Sequence, residues 1–233
     1  MSGKCSIVAT PIGNLDDMTF RAVKVLKDAQ VIAAEDTRRA KILLQHFDIH
    51  TPVISYHMHN ENSKTNHLAD RIEGGDHLAL LSDAGTPCIS DPGFLLVREL
   101  VARGIEPEVI PGASALTYVI VACGFPAHEI HYGGFLPPKK GKRQKLLQQF
   151  TENGATAIVY ESPFRITKLL EDIVIALGED TAVCMCREAT KVHEEHIRGT
   201  AAELLKHYKD KKWKGEFAIA ISNHPSVVNK QEE

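Results

Sequence analysis

The chain has 233 residues, a formal net charge of −3, 43% apolar and 24% charged residues, which suits one large or two small packed domains and excludes a collagenous, coiled-coil or disordered chain. The slightly negative balance excludes a surface coated in basic charge and leaves any RNA binding to local clusters of Lys and Arg. Five cysteines without framework spacing, no basic-then-apolar leader and no apolar run near the roughly 18 residues of a membrane span read as a soluble, cytoplasmic protein with free thiols.

Taken in chain order, short runs rich in Val, Ile and Ala predict strands at Ser6–Thr10, Val31–Ala34, Val53–Tyr56, Leu78–Ser82 and Val109–Ile110. Between them, Phe20, Val23 and Leu26 fall one turn apart and predict a helix over Thr19–Gln30, with Asp16 or Asp17 as its cap. Arg39–Phe47 and Phe94–Arg103 read the same way, the latter stopped by Gly104. Strands alternating with helices imply a mostly parallel sheet covered on both faces. The rhythm changes near residues 120–135, where Cys123-Gly-Phe-Pro-Ala-His128 suggests a crossing between domains, so the division expected is 1–120 and 121–233. Strands are predicted next at Ala157–Glu161, Ala182–Arg187, Glu195–Arg198 and Glu216–Ile221, with helices at Phe164–Leu177 and Ala201–Tyr208. This second α/β unit has less regular connections, and its sheet is expected to be mixed. From Pro225 onward the polar tail is expected to fray.

In an open α/β sheet ligands bind on the loops at the carboxyl ends of the strands. Here those loops are Thr10-Pro-Ile-Gly-Asn14, Ser82-Asp-Ala-Gly-Thr-Pro87 followed by Ser90-Asp-Pro-Gly93, and Pro111-Gly-Ala-Ser-Ala115. Each combines Gly or Pro with small residues, which lets backbone amides approach a ligand. One such loop alone is ordinary turn chemistry; three at equivalent strand ends indicate a small-molecule cleft. Asp83 adds a carboxylate able to accept hydrogen bonds from an ammonium or from ribose hydroxyls. The dinucleotide and P-loop glycine patterns are absent, as is a Gly-x-Ser-x-Gly elbow. Cys184 with Cys186, and His57 with His59, lack the second pair that a zinc site needs, so no metal is expected.

Several further segments stand in order with these: Ala9-Thr-Pro-Ile-Gly-Asn-Leu15, Ala33-Ala-Glu-Asp-Thr-Arg38, Ile54-Ser-Tyr-His57, Leu81-Ser-Asp-Ala-Gly-Thr-Pro87, Gly134-Phe-Leu-Pro137, Tyr160-Glu-Ser-Pro163, Arg187-Glu-Ala-Thr-Lys191, Glu194-Glu-His-Ile-Arg-Gly199 and Lys214-Gly-Glu-Phe217. Together they resemble the ribosomal RNA small-subunit methyltransferase I family of the tetrapyrrole-methylase superfamily. The likeness runs over nearly the whole chain; Cys88 and Ala113 depart from it where a larger apolar residue or proline is expected. It implies two α/β domains, S-adenosylmethionine held in a cleft between them, a homodimer, and 2'-O-methylation of a cytidine in 16S rRNA of the small ribosomal subunit. It places Pro11 and Gly13 on the first cofactor loop, Asp83 and Thr86 on the second, and Pro111, Gly112, Ser114 and Ala115 on the third. Pro163, Met185 and Glu216 would serve the adenine side.

A ribose hydroxyl is a weak nucleophile until its proton is drawn away, so a base at the cleft mouth is expected to help. Asp36 or Glu188 is the expected proton acceptor, with Arg38 and Lys191 holding phosphates. The plainer alternatives are a helix-start ion pair of Glu35 with Arg38 and a surface pair of Glu188 with Lys191. Two basic runs, Lys139, Lys140, Lys142, Arg143 and Lys145, and Lys206, Lys209, Lys211, Lys212 and Lys214 near Trp213, suit a phosphate track or simply a solvated face. The competing functions are a methyltransferase acting on a small tetrapyrrole and a non-catalytic RNA-binding assembly factor; the basic runs disfavour the first, the intact loops the second.

Overall fold

Five runs of small and β-branched residues form the first sheet: β1 (Lys4–Val8), β2 (Val31–Ala34), β3 (Val53–Ser55), β4 (His77–Leu81) and β5 (Glu108–Ile110). The computed structural model describes residues 3–224 and residue 227, so the tail expected to fray lies almost wholly outside the described residues. The strands pair in the order β3-β2-β4-β1-β5, and every pairing is parallel. The inner strands β2, β4 and β1 are largely apolar on both sides because helices cover both faces, whereas the edge strands β3 and β5 are only partly buried. On one face α1 (Phe20–Asp28) and α2 (Thr37–His46) bring Leu26 and Leu44 against Val8, Ile32, Ala79 and Ile110. On the other, α3 (Glu61–Glu73) and α4 (Phe94–Ala102) bring Leu68, Ile72, Leu96 and Leu100 against Cys5, Ile7, Val31 and Leu80.

Local chemistry sets the helix ends. Thr19, whose hydroxyl accepts the Ala22 amide at 3.0 Å, caps α1. Asp16 and Asp17, the expected caps, instead form a separate turn of 3-10 helix capped by Asn14. The hydroxyl wins because it lies directly before the first helical residue, where it can reach an orphan amide of the first turn. Gly104 ends α4 as expected: at φ +73° its amide reaches Val101 O at 3.0 Å, and the Ile105 amide reaches Leu100 O at 2.9 Å.

The chain passes into its second unit between Ser114 and Ala115. Helix α5 (Ala115–Cys123) packs Val119 and Cys123 on Ile158, Cys184, Cys186, Ala218 and Ala220 of the second sheet, which places the contact boundary six residues ahead of the division drawn from sequence. The remaining elements are β6 (Ile130–Phe135), α6 (Lys140–Phe150), β7 (Thr156–Glu161), α7 (Ile166–Leu177), β8 (Ala182–Arg187), β9 (Glu195–Thr200), α8 (Ala201–Tyr208) and β10 (Phe217–Ser222). Their order is β6-β7-β10-β8-β9; β6 and β7 run parallel and the other pairs antiparallel, a mixed sheet. The face away from α5 is closed by Leu147, Leu169, Ile173, Leu204 and Trp213.

One member of the first basic run is interior. Arg143 is 4% exposed and its guanidinium pairs with Asp172 of α7, itself 2% exposed, while Gln144 Nε2 donates to the other carboxylate oxygen at 2.7 Å. Arg143 therefore cannot belong to a phosphate track. Removing one partner of a buried pair strands the other charge, so Asp172→Ala should cost about 3–5 kcal/mol. Urea unfolding followed by Trp213 fluorescence measures it, and the double change Arg143→Met with Asp172→Leu should recover most of the loss. A cost under about 1 kcal/mol, the scale of an exposed pair, would show that the pair is not structural.

Candidate active site

Because the first sheet is parallel, the carboxyl ends of its strands share one edge, and the three glycine-containing loops meet there. Hydrogen bonds tie them together. Thr10 and Gly85 exchange backbone bonds, Thr10 N to Gly85 O at 2.8 Å and Gly85 N to Thr10 O at 3.0 Å. The Thr10 hydroxyl lies 3.4 Å from Ser82 O and from Gly85 O. Thr86 Oγ1 donates to Ala113 O at 3.3 Å, joining the second loop to the third. Two glycines permit this closeness. Gly85 stands at φ +84° with room for a Cβ only 3.3 Å from Ile12 Cγ2, and a Cβ at Gly112 would lie 3.0 Å from Ala9 Cβ. Pro11 is buried in this frame, Ser114 half-buried, and Gly13, Pro111 and Gly112 are exposed to a ligand.

Three carboxylates crowd the same edge. Asp83 Oδ1 accepts the Asp36 amide at 2.9 Å, and Oδ2 lies 3.4 Å from the Arg39 guanidinium. Glu35, at the end of β2, is pushed up by burial and by Asp83, although the Asp83 amide and Arg39 oppose the shift. Asp91 is pushed up to about 7, first by burial and then by Glu35 and Asp83, with the Ser82 side chain pulling the other way. The sequence reading quoted Ser90-Asp-Pro-Gly93 as a loop without singling out Asp91; its position beside Asp83 is set by the fold of the loop and by β2, which sequence spacing does not report.

Asp36 has a different surrounding. It caps α2, its Oδ1 accepting the Arg38 amide at 2.8 Å, and both its oxygens take the Arg38 guanidinium, at 3.1 and 2.7 Å. These bonds hold its carboxyl far below the usual carboxylate range. The ion pair at the helix start is thus made by Asp36, not Glu35.

On the second sheet β10 runs against β7 and β8, so one edge carries the carboxyl ends of β6, β7 and β8 with the start of β10. Glu188 Oε1 accepts from Lys191 Nζ at 2.9 Å and from the Glu216 amide at 2.9 Å, while Lys191 Nζ also reaches Glu216 Oε2 at 2.8 Å. Burial pushes Glu188 up, but the Lys191 and Glu216 bonds together outweigh it and hold the carboxyl low. Gly215 makes the network possible, since a Cβ there would lie 2.6 Å from Glu188 Cγ. Pro163 sits half-buried at this edge in the turn after β7. Met185 does not reach it: the side chain is fully buried in the core of the second unit with Val159 and Ile219, because residues alternate across the strand and this one falls on the face covered by α6, α7 and α8, opposite α5. In the second basic run Lys211 lies 3.9 Å over the buried Trp213 ring.

Residues 4–205 match the family described as Tetrapyrrole (Corrin/Porphyrin) Methylases. Ribosomal RNA small subunit methyltransferase I of Halalkalibacterium halodurans is 44% identical over 230 residues, covering 99% of this chain and 79% of the relative. The chain belongs to the ribosomal RNA small subunit methyltransferase I family. The Thermotoga maritima member is 40% identical over 220 residues, 94% of this chain and 98% of its own. The fold is shared with uroporphyrin-III C-methyl transferase from Thermus thermophilus complexed with S-adenyl homocysteine, at a TM-score of 0.66 and 17% identity, over 94% of this chain and 97% of that one. Of the residues described at the two strand edges, all but those from Lys211 onward fall within the matched span. Among the described residues no helix is long and apolar enough to cross a membrane.

The loop between Asp83 and α4 is wound tightly. Cys88 (φ +71°), Ser90 (φ +65°) and Gly93 (φ +132°) all take left-handed conformations within six residues. A Cβ at Gly93 would stand 2.7 Å from Cys88 Sγ and 2.8 Å from Leu80 Cδ2, whereas one at Gly104 would meet nothing within 4 Å. Gly93→Ala should lower stability by about 1–3 kcal/mol, and by more than Gly104→Ala, in denaturant unfolding. Equal losses at both positions would show that backbone conformation alone matters and that the loop is not crowded.

Proposed function

We propose that this chain moves the methyl group of S-adenosylmethionine onto a ribose 2'-hydroxyl of a cytidine in 16S rRNA, within the small ribosomal subunit, and acts as a homodimer. The observation that carries the reading is the trio Glu35, Asp83 and Asp91 at an edge framed by three tied loops. Carboxylates pressed together resist ionising, and a cation relieves them; a cofactor bearing a sulfonium and an ammonium suits that field. The exposed backbone at Gly13, Pro111 and Gly112 leaves room for its close approach, with Thr86, Ser114 and Ala115 on the same loops. The names of the relatives support ribosomal RNA as acceptor, and the S-adenyl homocysteine complex of a protein sharing the fold supports the cofactor.

When bound, S-adenosylmethionine supplies an electrophilic methyl group and is left as a neutral thioether. The ribose oxygen gains the new bond to carbon and must lose its proton. Asp91, pushed up to about 7 by burial and by its acidic neighbours, fits a proton acceptor. Its proton affinity rises again once the neighbouring positive charge is gone, so loss of that charge and uptake of the proton favour one another. Asp36 and Glu188, kept ionised by their partners, serve in this reading as anchors: Asp36 aims Arg38 and Glu188 aims Lys191 toward phosphates. Pro163 and Glu216, which the family resemblance puts on the adenine side, stand at the edge of the second sheet.

Transfer of labelled methyl to small subunits lacking their native modifications tests the function, with naked 16S rRNA and a porphyrinoid in parallel. Label on one ribose of the subunit RNA is expected; label in the porphyrinoid alone would replace this reading with small-molecule methylation. The electrostatic argument has its own test. A cation lowers the Asp91 pKa from about 7, so cofactor binding should tighten as pH rises through 7 and weaken below it. Titration calorimetry in buffers of different ionisation heat near neutral pH should show proton release on binding, abolished in Asp91→Asn. Binding without proton release in the unaltered protein would remove Asp91 from the cofactor's neighbourhood.

A further inference from the structure

At the edge of the second sheet that carries Glu188, large apolar side chains stand in water: Phe135 is 60% exposed, Phe164 92% and Val192 97%. A single exposed apolar residue is ordinary. Phe164 differs in what surrounds it. The turn that bears it is tied to the segment after β6 by Arg165, and Arg143 of α6 ties the same segment to Asp172 of α7. Arg165 Nη2 donates to Leu136 O at 2.9 Å and to Pro137 O at 3.4 Å. Arg143 Nη1 donates to Pro137 O at 3.2 Å and to Pro138 O at 3.1 Å, while the rest of its guanidinium is held by Asp172. Pro137 and Pro138 are themselves stiff. These bonds hold the stretch that leads into the exposed Lys139, Lys140 and Lys142 against the turn that carries the ring.

The two acids bonded to these arginines, Asp172 and Glu161, have side chains only 2% and 1% exposed and are already paired with Arg143 and Arg165. What reaches solvent from the turn and from the segment tied to it is an aromatic ring and three lysines. An acidic peptide would use the lysines but has no particular need for the exposed phenyl ring. Unpaired nucleotides need both, since every base has a face to stack and a phosphate to neutralise.

We propose that an unpaired base of the RNA substrate stacks on Phe164 while Lys139, Lys140 and Lys142 hold the flanking phosphates. The inference rests on the RNA reading given above and adds to it a positioning residue that the sequence reading passed over between Pro163 and Arg165. The ring contributes to RNA affinity and leaves the cofactor alone.

The test compares the full-length wild type, Phe164→Ala, Phe164→Trp and the triple change Lys139→Ala, Lys140→Ala, Lys142→Ala. Each is assayed for binding and methylation of small subunits lacking their modifications, for S-adenosylmethionine affinity by calorimetry, and for mass by light scattering. Loss of one stacked base is worth about 1–3 kcal/mol, so Phe164→Ala should raise KM for the subunit roughly 5- to 150-fold, with kcat and cofactor affinity unchanged. Phe164→Trp should restore it. The triple lysine change should flatten the salt dependence of RNA binding, whereas Phe164→Ala should leave that slope as it was. An unchanged KM in Phe164→Ala overturns the inference while the RNA reading stands. A fall in cofactor affinity assigns the ring to the cofactor instead, and a change in mass assigns it to a second copy of the chain; both overturn the proposal. A wild type that binds no ribosomal RNA overturns this inference and the functional reading together.

Discussion

The backbone exchange between Thr10 and Gly85 governs the geometry of the first unit's strand edge. Neighbouring strands β1 and β4 bring the two loops near each other, but parallel pairing ends at Val8 and Leu81, and loops leaving a sheet ordinarily diverge. Two short backbone bonds, with the Thr10 hydroxyl in support, extend the order of the sheet past its end. Thr86 then carries it to the third loop. Loops tied in this way face a ligand already arranged, so less conformational freedom is lost when one binds. The positions of Asp83, and through its bond to the Asp36 amide of the start of α2, follow from this frame.

The carboxylates of the molecule fall into two populations, distinguished by company rather than by residue type. Asp36 and Glu188 each have a cation and a backbone amide within hydrogen-bond reach, which stabilise the anion. Asp91 and Glu35 have burial and other acids, which stabilise the neutral form. The first kind builds structure at all ordinary pH. The second kind holds repulsion in reserve, and a positively charged visitor releases it.

Much of the architecture was legible because it rests on local pattern. Helix α8 is found where Ala201–Tyr208 was predicted, since Thr200 and Glu203 form a capping box before an amphipathic run. Strands β2 and β8 likewise match their predicted bounds. Helix α3 escaped notice: its 13 residues place only Leu68, Ala69 and Ile72 on an apolar stripe, too few to show a period against so polar a background. Helices α5 and α6 were missed for opposite reasons, one being apolar nearly all round and the other reading as a charge run. At the site, the glycine loops announced themselves, whereas Asp91, the inward turn of Arg143 and the burial of Met185 depend on which residues the tertiary fold sets face to face.

The order of the second sheet also bears on how the chain is made. Strand β10 (Phe217–Ser222) comes last among the described strands yet lies third of five, paired on both sides by β7 and β8. Until it emerges from the ribosome the unit consists of two half-sheets, each showing a row of unpaired amides and carbonyls that could recruit a neighbouring chain. The first unit has its sheet complete by Ile110 and can fold while the rest is still being synthesised. The second cannot close its sheet until β10 is made, which makes that strand the keystone of biosynthesis and any premature stop before it a source of sticky, half-built protein.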